Sequence, residues 1–231
     1  MYILCIETAT PVCSIALLKD GQVADIRETD RKNSHAEVIT LFIQELFGIY
    51  KLDVTDLAAV AVSMGPGSYT GLRIGVSSAK GLCYAGSKPL IAVSTLQSMA
   101  TGAIEKKGKA EESALYCPMI DARRMEVYSA LFDSSGKEIR EIKAEVIDEN
   151  SFADLLPDHP LYFFGDGADK CRTVITHPNA RFLDDFRPSA AYMAPLVMEK
   201  FREKQFEDVA YFEPFYLKDF IAGIPRVKGL R

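Results

Sequence analysis

The sequence predicts a duplicated α/β protein, two βββαβα halves in tandem, and three observations carry that reading. Strand-like and helix-like hydrophobic periods succeed one another in the same order in both halves of the 231-residue chain. A charged stretch with almost nothing to bury, Lys106-Lys107-Gly108-Lys109-Ala110-Glu111-Glu112-Ser113, separates them and reads as a linker. One constant shift lays Ile6-Glu7 on Ile120-Asp121 and Ala16-Leu17 on Ala130-Leu131, and the same shift superposes the strand order. The expected domains are 1–106 and 107–231, with the last segment packing back on the first.

Strands are expected at 2–7, 12–18 and 22–29, and Asp20-Gly21 supplies the tight turn between the last two. A helix at 35–48, a strand at 58–63, a helix at 71–86 and a strand at 90–93 follow, the last introduced by Pro89 where a strand start tolerates it. A helix at 95–103 closes the first half. In the second half the pattern predicts strands at 115–120, 126–132 and 138–147, a short helix at 152–155 and a strand at 161–164. Helices at 167–175 and 190–204 complete it.

The net charge is −5 and the pI about 5.3, so the surface as a whole repels a phosphate backbone. Any grip on RNA must be local or borrowed from a partner. Five cysteines without a C-x-x-C pair read as small buried residues in a reducing compartment. The N-terminus runs straight into a strand, and no apolar run is long enough to cross a bilayer, so a cytoplasmic protein away from membranes is expected.

The segment richest in chemistry is Gly65-Pro66-Gly67-Ser68-Tyr69-Thr70-Gly71-Leu72-Arg73-Ile74-Gly75, which follows an apolar strand and opens a helix. Such a loop can seat an anion or another backbone, because glycines permit positive φ and leave N–H groups open. The Walker pattern fails, since no Gly-Lys-Ser/Thr follows at the required distance. A dinucleotide fingerprint fits loosely: Pro66 removes a donor, and no acid lies where the ribose partner belongs.

This segment is similar to the Gly-Pro-Gly-Ser-(Phe/Tyr)-Thr-Gly-Leu-Arg-(Ile/Leu)-Gly signature of the bacterial TsaB, or YeaZ-like, family. The resemblance extends along most of the chain, through Ile6-Glu7-Thr8-Ala9-Thr10, Ser34-His35-Ala36-Glu37, Ile120-Asp121-Ala122-Arg123-Arg124, Gly165-Asp166-Gly167-Ala168 and Glu213-Pro214-Phe215-Tyr216-Leu217-Lys218. Two βββαβα halves are what the actin-like, sugar-kinase-like (ASKHA) fold is made of, and the resemblance implies that fold.

In actin-like kinases a carboxylate at the end of the first strand holds Mg²⁺, and a Gly/Ser/Thr turn donates to phosphates. Glu7 and Asp121 stand at the two equivalent strand ends. The turn after Glu7, Thr8-Ala9-Thr10-Pro11, has no glycine and one proline, and that after Asp121 carries Arg123 and Arg124. The nucleotide-binding candidates are Glu7, Thr8, Asp121, Arg123 and the adenosine-loop-like Gly165, Asp166 and Gly167, read chiefly as a relic. No cofactor is expected to bind tightly, with ATP or ADP expected only at a shared interface in a complex.

No metal site is expected, because His35 and Glu37 lack a ligand at i+4, where Ile39 stands, and His159 and His177 lie far off in proline-flanked loops. Ser34-x-x-Glu37 fits a capping box instead. The helix that it starts carries Val38, Ile39, Leu41, Phe42, Ile43, Leu46 and Phe47, more apolar circumference than one core face uses. Gly71, Gly75 and Ala79, with Ser78 beside them, form a small-residue seam that permits close approach. The chain's own second half could cover this region. The resemblance favours a partner interface through His35, Val38, Leu41, Phe42, Gly71, Arg73, Gly75, Ser78 and Ala79.

The resemblance implies a non-catalytic subunit of the bacterial machinery that transfers threonylcarbamoyl to adenosine 37 of tRNAs reading ANN codons. Its partners would be the catalytic paralogue TsaD and the ATPase TsaE, with a homodimer when alone and tRNA met indirectly through the complex. The alternative from the residues is an autonomous ATP-dependent kinase or phosphohydrolase using Glu7 and Asp121. A metallopeptidase is disfavoured by the missing ligands. The basic residues Lys218, Arg226, Lys228 and Arg231 near the C-terminus oppose only Asp219.

Overall fold

The computed structural model describes residues 1–31, 35–108 and 113–218. The first half begins with β1 (Tyr2–Glu7), β2 (Cys13–Lys19) and β3 (Gln22–Thr29), an antiparallel meander. Asp20 and Gly21 both take positive φ, 52° and 85°, which a two-residue hairpin turn requires. Next come α1 (His35–Tyr50), a 3-10 turn at Val54–Asp56, β4 (Leu57–Gly65), α2 (Tyr69–Gly86), β5 (Leu90–Ser94) and α3 (Thr95–Lys107). The crossovers through α1 and α2 place β4 and β5 parallel to β1, giving the order β3-β2-β1-β4-β5. Ile3 to Ile6 and Val60 to Val62 are fully buried, as central strands covered on both faces must be.

The second half repeats the order. β6 (Leu115–Asp121), β7 (Glu126–Phe132) and β8 (Glu138–Val146) form a meander, and β9 (Leu161–Phe164) and β10 (Ala180–Phe182) add in parallel, giving β8-β7-β6-β9-β10. The repeat reaches individual hydrogen bonds. Ser14 on β2 donates to Glu28 on β3 at 2.8 Å, and Ser129 on β7 donates to Glu145 on β8.

The second half departs from expectation in its crossovers. At 152–155 the chain makes turns, and Phe152 has φ 64°. Asp148 accepts from the N–H of Asn150 and the hydroxyl of Ser151, and such local side-chain bonds compete with a helix. The expected helix at 167–175 contracts to a 3-10 turn at Asp169–Cys171. The pattern at 190–204 divides into a 3-10 turn, Ala190–Met193, and α4 (Ala194–Arg202), whose first turn accommodates Pro195. β10 was not expected at all.

The layers interlock. One face of the first sheet packs Leu4, Ile6 and Val60 against Ile39, Leu46 and Val76 of α1 and α2. Its other face, Ile3, Cys5, Ala61 and Val93, receives Ala190, Met193 and Val197 from the second half's last elements. Reciprocally, Leu96, Met99 and Ala103 of α3 pack on Tyr116, Ile120 and Phe132 of the second sheet. Each half therefore covers a face of the other. The outer face of the second sheet is closed by Ile147, Phe152, Leu156, Cys171 and Ile175. All five cysteines are buried.

After α4 the chain returns across the first half as an extended strap. The N–H of Glu207 bonds to the Leu90 carbonyl at 2.9 Å, and Val209 and Phe212 join the first core. Lys80 of α2 holds the carbonyls of Ala210 and Phe212 at 3.1 and 3.0 Å. Phe215 N–H then reaches the Met64 carbonyl at 2.7 Å.

Candidate functional site

The candidate site is the end of the molecule where β1, β4 and β6 finish. Glu7 is buried there, and its Oε1 accepts from Ala9 N–H at 2.6 Å and from the Ser63 hydroxyl at 2.9 Å. Burial pushes its carboxyl up to about 7 against those stabilising bonds. Ser63 in turn accepts from Thr8 N–H at 3.4 Å. Glu7 is thus an internal acceptor that fixes the turn after β1, and Ser63 is the partner that a sequence reading missed. A hydroxyl amid the apolar run of β4 was its signal.

The glycine loop receives that turn. Ser68 N–H bonds to the Ala9 carbonyl at 2.7 Å, and Thr8 Oγ1 donates to the Gly71 carbonyl at 2.9 Å. Ser68 caps α2 by accepting from Gly71 N–H at 3.2 Å. A Cβ on Gly67 would overlap the Ala9 carbonyl, one on Gly71 the Thr8 carbonyl, and one on Gly75 the Thr8 hydroxyl. Gly65, at φ 111° before a cis Pro66, abuts the strap: a Cβ there would lie 2.7 Å from the Phe215 carbonyl. Of the two occupants the sequence allowed, anion or backbone, the described residues seat backbone, from both the β1 turn and the strap.

This geometry corrects the expected interface. Gly71, Gly75 and Ala79 are buried and face Thr8 and the core, so the small-residue seam is filled within the chain. The remaining expected contacts stay accessible. Leu41 and Arg73 are exposed, and His35, Val38, Phe42 and Ser78 are half-buried. Between α1 and α2 runs a groove of about 490 Å³ lined by Thr40, Ile43, Gln44, Phe47, Ser78 and Leu82. His35 Nε2 lies 2.9 Å from the Thr10 carbonyl, and since a carbonyl only accepts, the ring proton sits on Nε2. His35 thereby ties the start of α1 to the β1 turn. The proposed cap, Ser34, lies outside the described residues, and so do Asp219, Arg226, Lys228, Arg231 and the linker residues 109–112.

In the second half, Asp121 accepts from Arg123 N–H at 3.1 Å and pairs with Lys170, whose ammonium also bonds to the Glu126 carbonyl at 2.7 Å. Asp166 accepts from Asp121 N–H at 3.2 Å, and burial raises its carboxyl above the usual range. Gly165, at φ 100°, packs on the Met119 carbonyl, and a Cβ on Gly167 would lie 2.8 Å from the Ile120 carbonyl carbon. This loop, too, receives the end of the adjoining strand. Arg123 and Arg124 form the tip of the β6–β7 turn, with φ 75° and 51° and exposed side chains. Among the described residues, no group of three or more His, Cys, Asp or Glu side chains could hold a metal ion. No described helix is long and apolar enough to cross a membrane.

A family model described as "TsaD: tRNA N6-adenosine threonylcarbamoyltransferase" matches residues 28–225. The "tRNA threonylcarbamoyladenosine biosynthesis protein TsaB" of Escherichia coli K12 is 33% identical over 229 residues, covering 96% of each chain. The chain belongs to the TsaB family. A second TsaB, from Bacillus subtilis 168, is 31% identical and covers 94% of each chain. The solved structure "YeaZ from Pseudomonas aeruginosa" superposes with a TM-score of 0.80 at 24% identity, covering 94% of this chain and 99% of that one. The fold is the duplicated actin-like fold shared with TsaB relatives.

Proposed function

We propose that this chain serves tRNA threonylcarbamoyladenosine biosynthesis as a non-catalytic partner subunit. It binds and supports the TsaD paralogue and the TsaE ATPase, pairs with itself when alone, and meets tRNA in the assembly. The observation that carries this reading is the occupied glycine loop. Two of its N–H donors, those of Ser68 and Gly71, are committed to the β1 turn and the helix cap, Glu7 faces inward, and Asp121 is neutralised by Lys170. Phosphoryl transfer needs several pre-aimed donors plus a metal, and this chain's own residues spend those groups on holding the fold. ATP or ADP, where it takes part, belongs to an interface shared with a partner.

The α1–α2 groove supports the choice of docking surface, because Leu41 remains 54% exposed beside the half-buried Val38, Phe42 and Phe47. The test is reconstitution: a modification assay lacking only this chain should make no threonylcarbamoyladenosine, and a pull-down should recover TsaD. Leu41→Glu should weaken that capture while leaving the isolated chain folded. Robust ATP turnover by the isolated chain, lost in Glu7→Ala, would overturn the reading in favour of an autonomous kinase.

A further inference from the structure

The strap ends in a cluster of aromatic and basic side chains. Tyr216 stacks on Tyr69, the first residue of α2, with ring centroids 4.8 Å apart and planes tilted by 35°. Arg73, one turn along α2, lies over the Tyr69 ring at 5.3 Å and donates to its hydroxyl at 3.1 Å. Phe215 and Tyr216 nevertheless remain 38% and 36% exposed. Lys218 crosses to the second half and pairs with Glu126, the residue that closes the Arg123–Arg124 turn by donating its N–H to the Arg123 carbonyl at 3.1 Å. One rim therefore runs from Arg73 through Tyr69, Tyr216 and Lys218 to Arg123 and Arg124, spanning both halves.

The charges on this rim are unlike those of the molecule. The chain carries −5 overall, yet here the guanidiniums of Arg73, Arg123 and Arg124 have no carboxylate partner among the described residues. Asp121 and Glu126 are already paired with Lys170 and Lys218, which leaves Glu213 as the free acid acting on Tyr216. The β6–β7 turn holds both arginines in left-handed backbone, a conformation that glycine would adopt more readily. A partly exposed tyrosine ring, that of Tyr216, flanked by guanidiniums without a carboxylate partner among the described residues is the kind of surface on which an unstacked base and its phosphates are held together. Tyrosine and arginine also anchor protein interfaces, so capture of a protein partner through this rim is the outcome that the experiment must exclude.

We propose that this rim is a contact surface for single-stranded RNA, with a base stacked on Tyr216 and phosphates met by Arg73, Arg123 and Arg124. The inference rests on the proposed function, and would give the chain a direct hand on the RNA that the assembly modifies. The probe is a fluorescein-labelled anticodon stem-loop RNA, with a blunt duplex as control. Anisotropy would be followed with the full chain alone and bound to its TsaD paralogue. Tyr216→Ala should weaken stem-loop binding about 5- to 150-fold, the range that ~1–3 kcal/mol of base stacking represents, and Tyr216→Trp should restore it.

Arg73→Gln and the paired Arg123→Gln/Arg124→Gln should each flatten the salt dependence, by about 0.7 in log–log slope for every phosphate that is no longer neutralised. These exposed arginines make variants that keep the fold even if Tyr216→Ala loosens the strap. Equal affinity for stem-loop and duplex, or arginine variants that bind RNA like wild type, would overturn the proposal. Loss of TsaD capture with RNA binding unchanged would reassign the rim to a protein partner. The proposed function fails separately: modification that proceeds without this chain would refute it whatever the RNA result.

Discussion

Gly75→Ala is the sharpest probe of how the glycine loop works. Position 75 is helical and buried, and a Cβ there overlaps Thr8 Oγ1, while the next neighbours, Thr8 Cβ and Cγ2, lie at 3.4 and 3.5 Å. The hydroxyl must therefore move and give up its 2.9 Å bond to the Gly71 carbonyl. Overpacking costs about 1–3 kcal/mol and the broken buried bond about 1 kcal/mol. The gain in helix propensity over glycine offsets about 1 kcal/mol, so the net loss should be ~1–3 kcal/mol. Thr8→Ala removes the clashing oxygen and leaves only ordinary van der Waals packing. In that background Gly75→Ala should be neutral or should stabilise by up to ~1 kcal/mol. Urea denaturation of the four proteins measures the coupling. An equal loss in both backgrounds would refute the steric account. A Gly75→Ala protein of full stability that no longer self-associates would return the seam to an interface.

Three further outcomes follow from the same geometry. Glu7 keeps its proton to about pH 7 when folded, whereas the unfolded chain releases it near 4.5. Stability should therefore fall as pH rises between those values, by at most ~3 kcal/mol, and level off above. Glu7→Gln should remove that slope while retaining modification in the reconstituted system, and parallel pH profiles for the two proteins would contradict the assignment. His35→Ala should cost about 1 kcal/mol through the broken Thr10 bond and leave metal content at background; stoichiometric Zn²⁺ or Fe²⁺ in wild type, absent from the variant, would make His35 a ligand after all. Lys80→Met should speed amide exchange at Phe215 and Tyr216 with little change in exchange across β1, and unchanged protection there would show that the strap holds without Lys80.

The sequence told more about elements than about what faces what. Period-2 and helical patterns placed the first half nearly residue by residue, because β1, β4 and β5 are buried on both faces and Asp20-Gly21 can hardly be anything but a turn. The second half was less legible where its elements are short. β10 is three half-buried residues with no alternation to detect, and the 148–156 segment follows its Asp and Ser side chains into turns. The i, i+4 spacing of Gly71, Gly75 and Ala79 announced a close approach, correctly, but spacing along a helix does not name the approaching group. That group is Thr8, whose distance in sequence is what makes it invisible. The Glu213–Lys218 motif was legible only as part of a resemblance, since the residues it meets, Met64, Tyr69 and Glu126, lie on three separate elements of both halves.

The glycine signature has a consequence for how this fold can lose one chemistry and keep its shape. A loop built to approach phosphates closely must lack Cβ atoms and expose N–H groups, and both properties serve equally well for clasping a carbonyl. Here Ala9 and Thr8 take the places facing Gly67, Gly71 and Gly75, while Phe215 takes the place facing Gly65. Once backbone fills the loop, each glycine is held by sterics within the chain, and substitution there damages folding before any partner is met. Retention of the signature therefore argues for a clasp. A nucleotide could reach the Ser68 donor only if the β1 turn withdrew from the loop, and that would expose the buried Glu7 and Thr8 together.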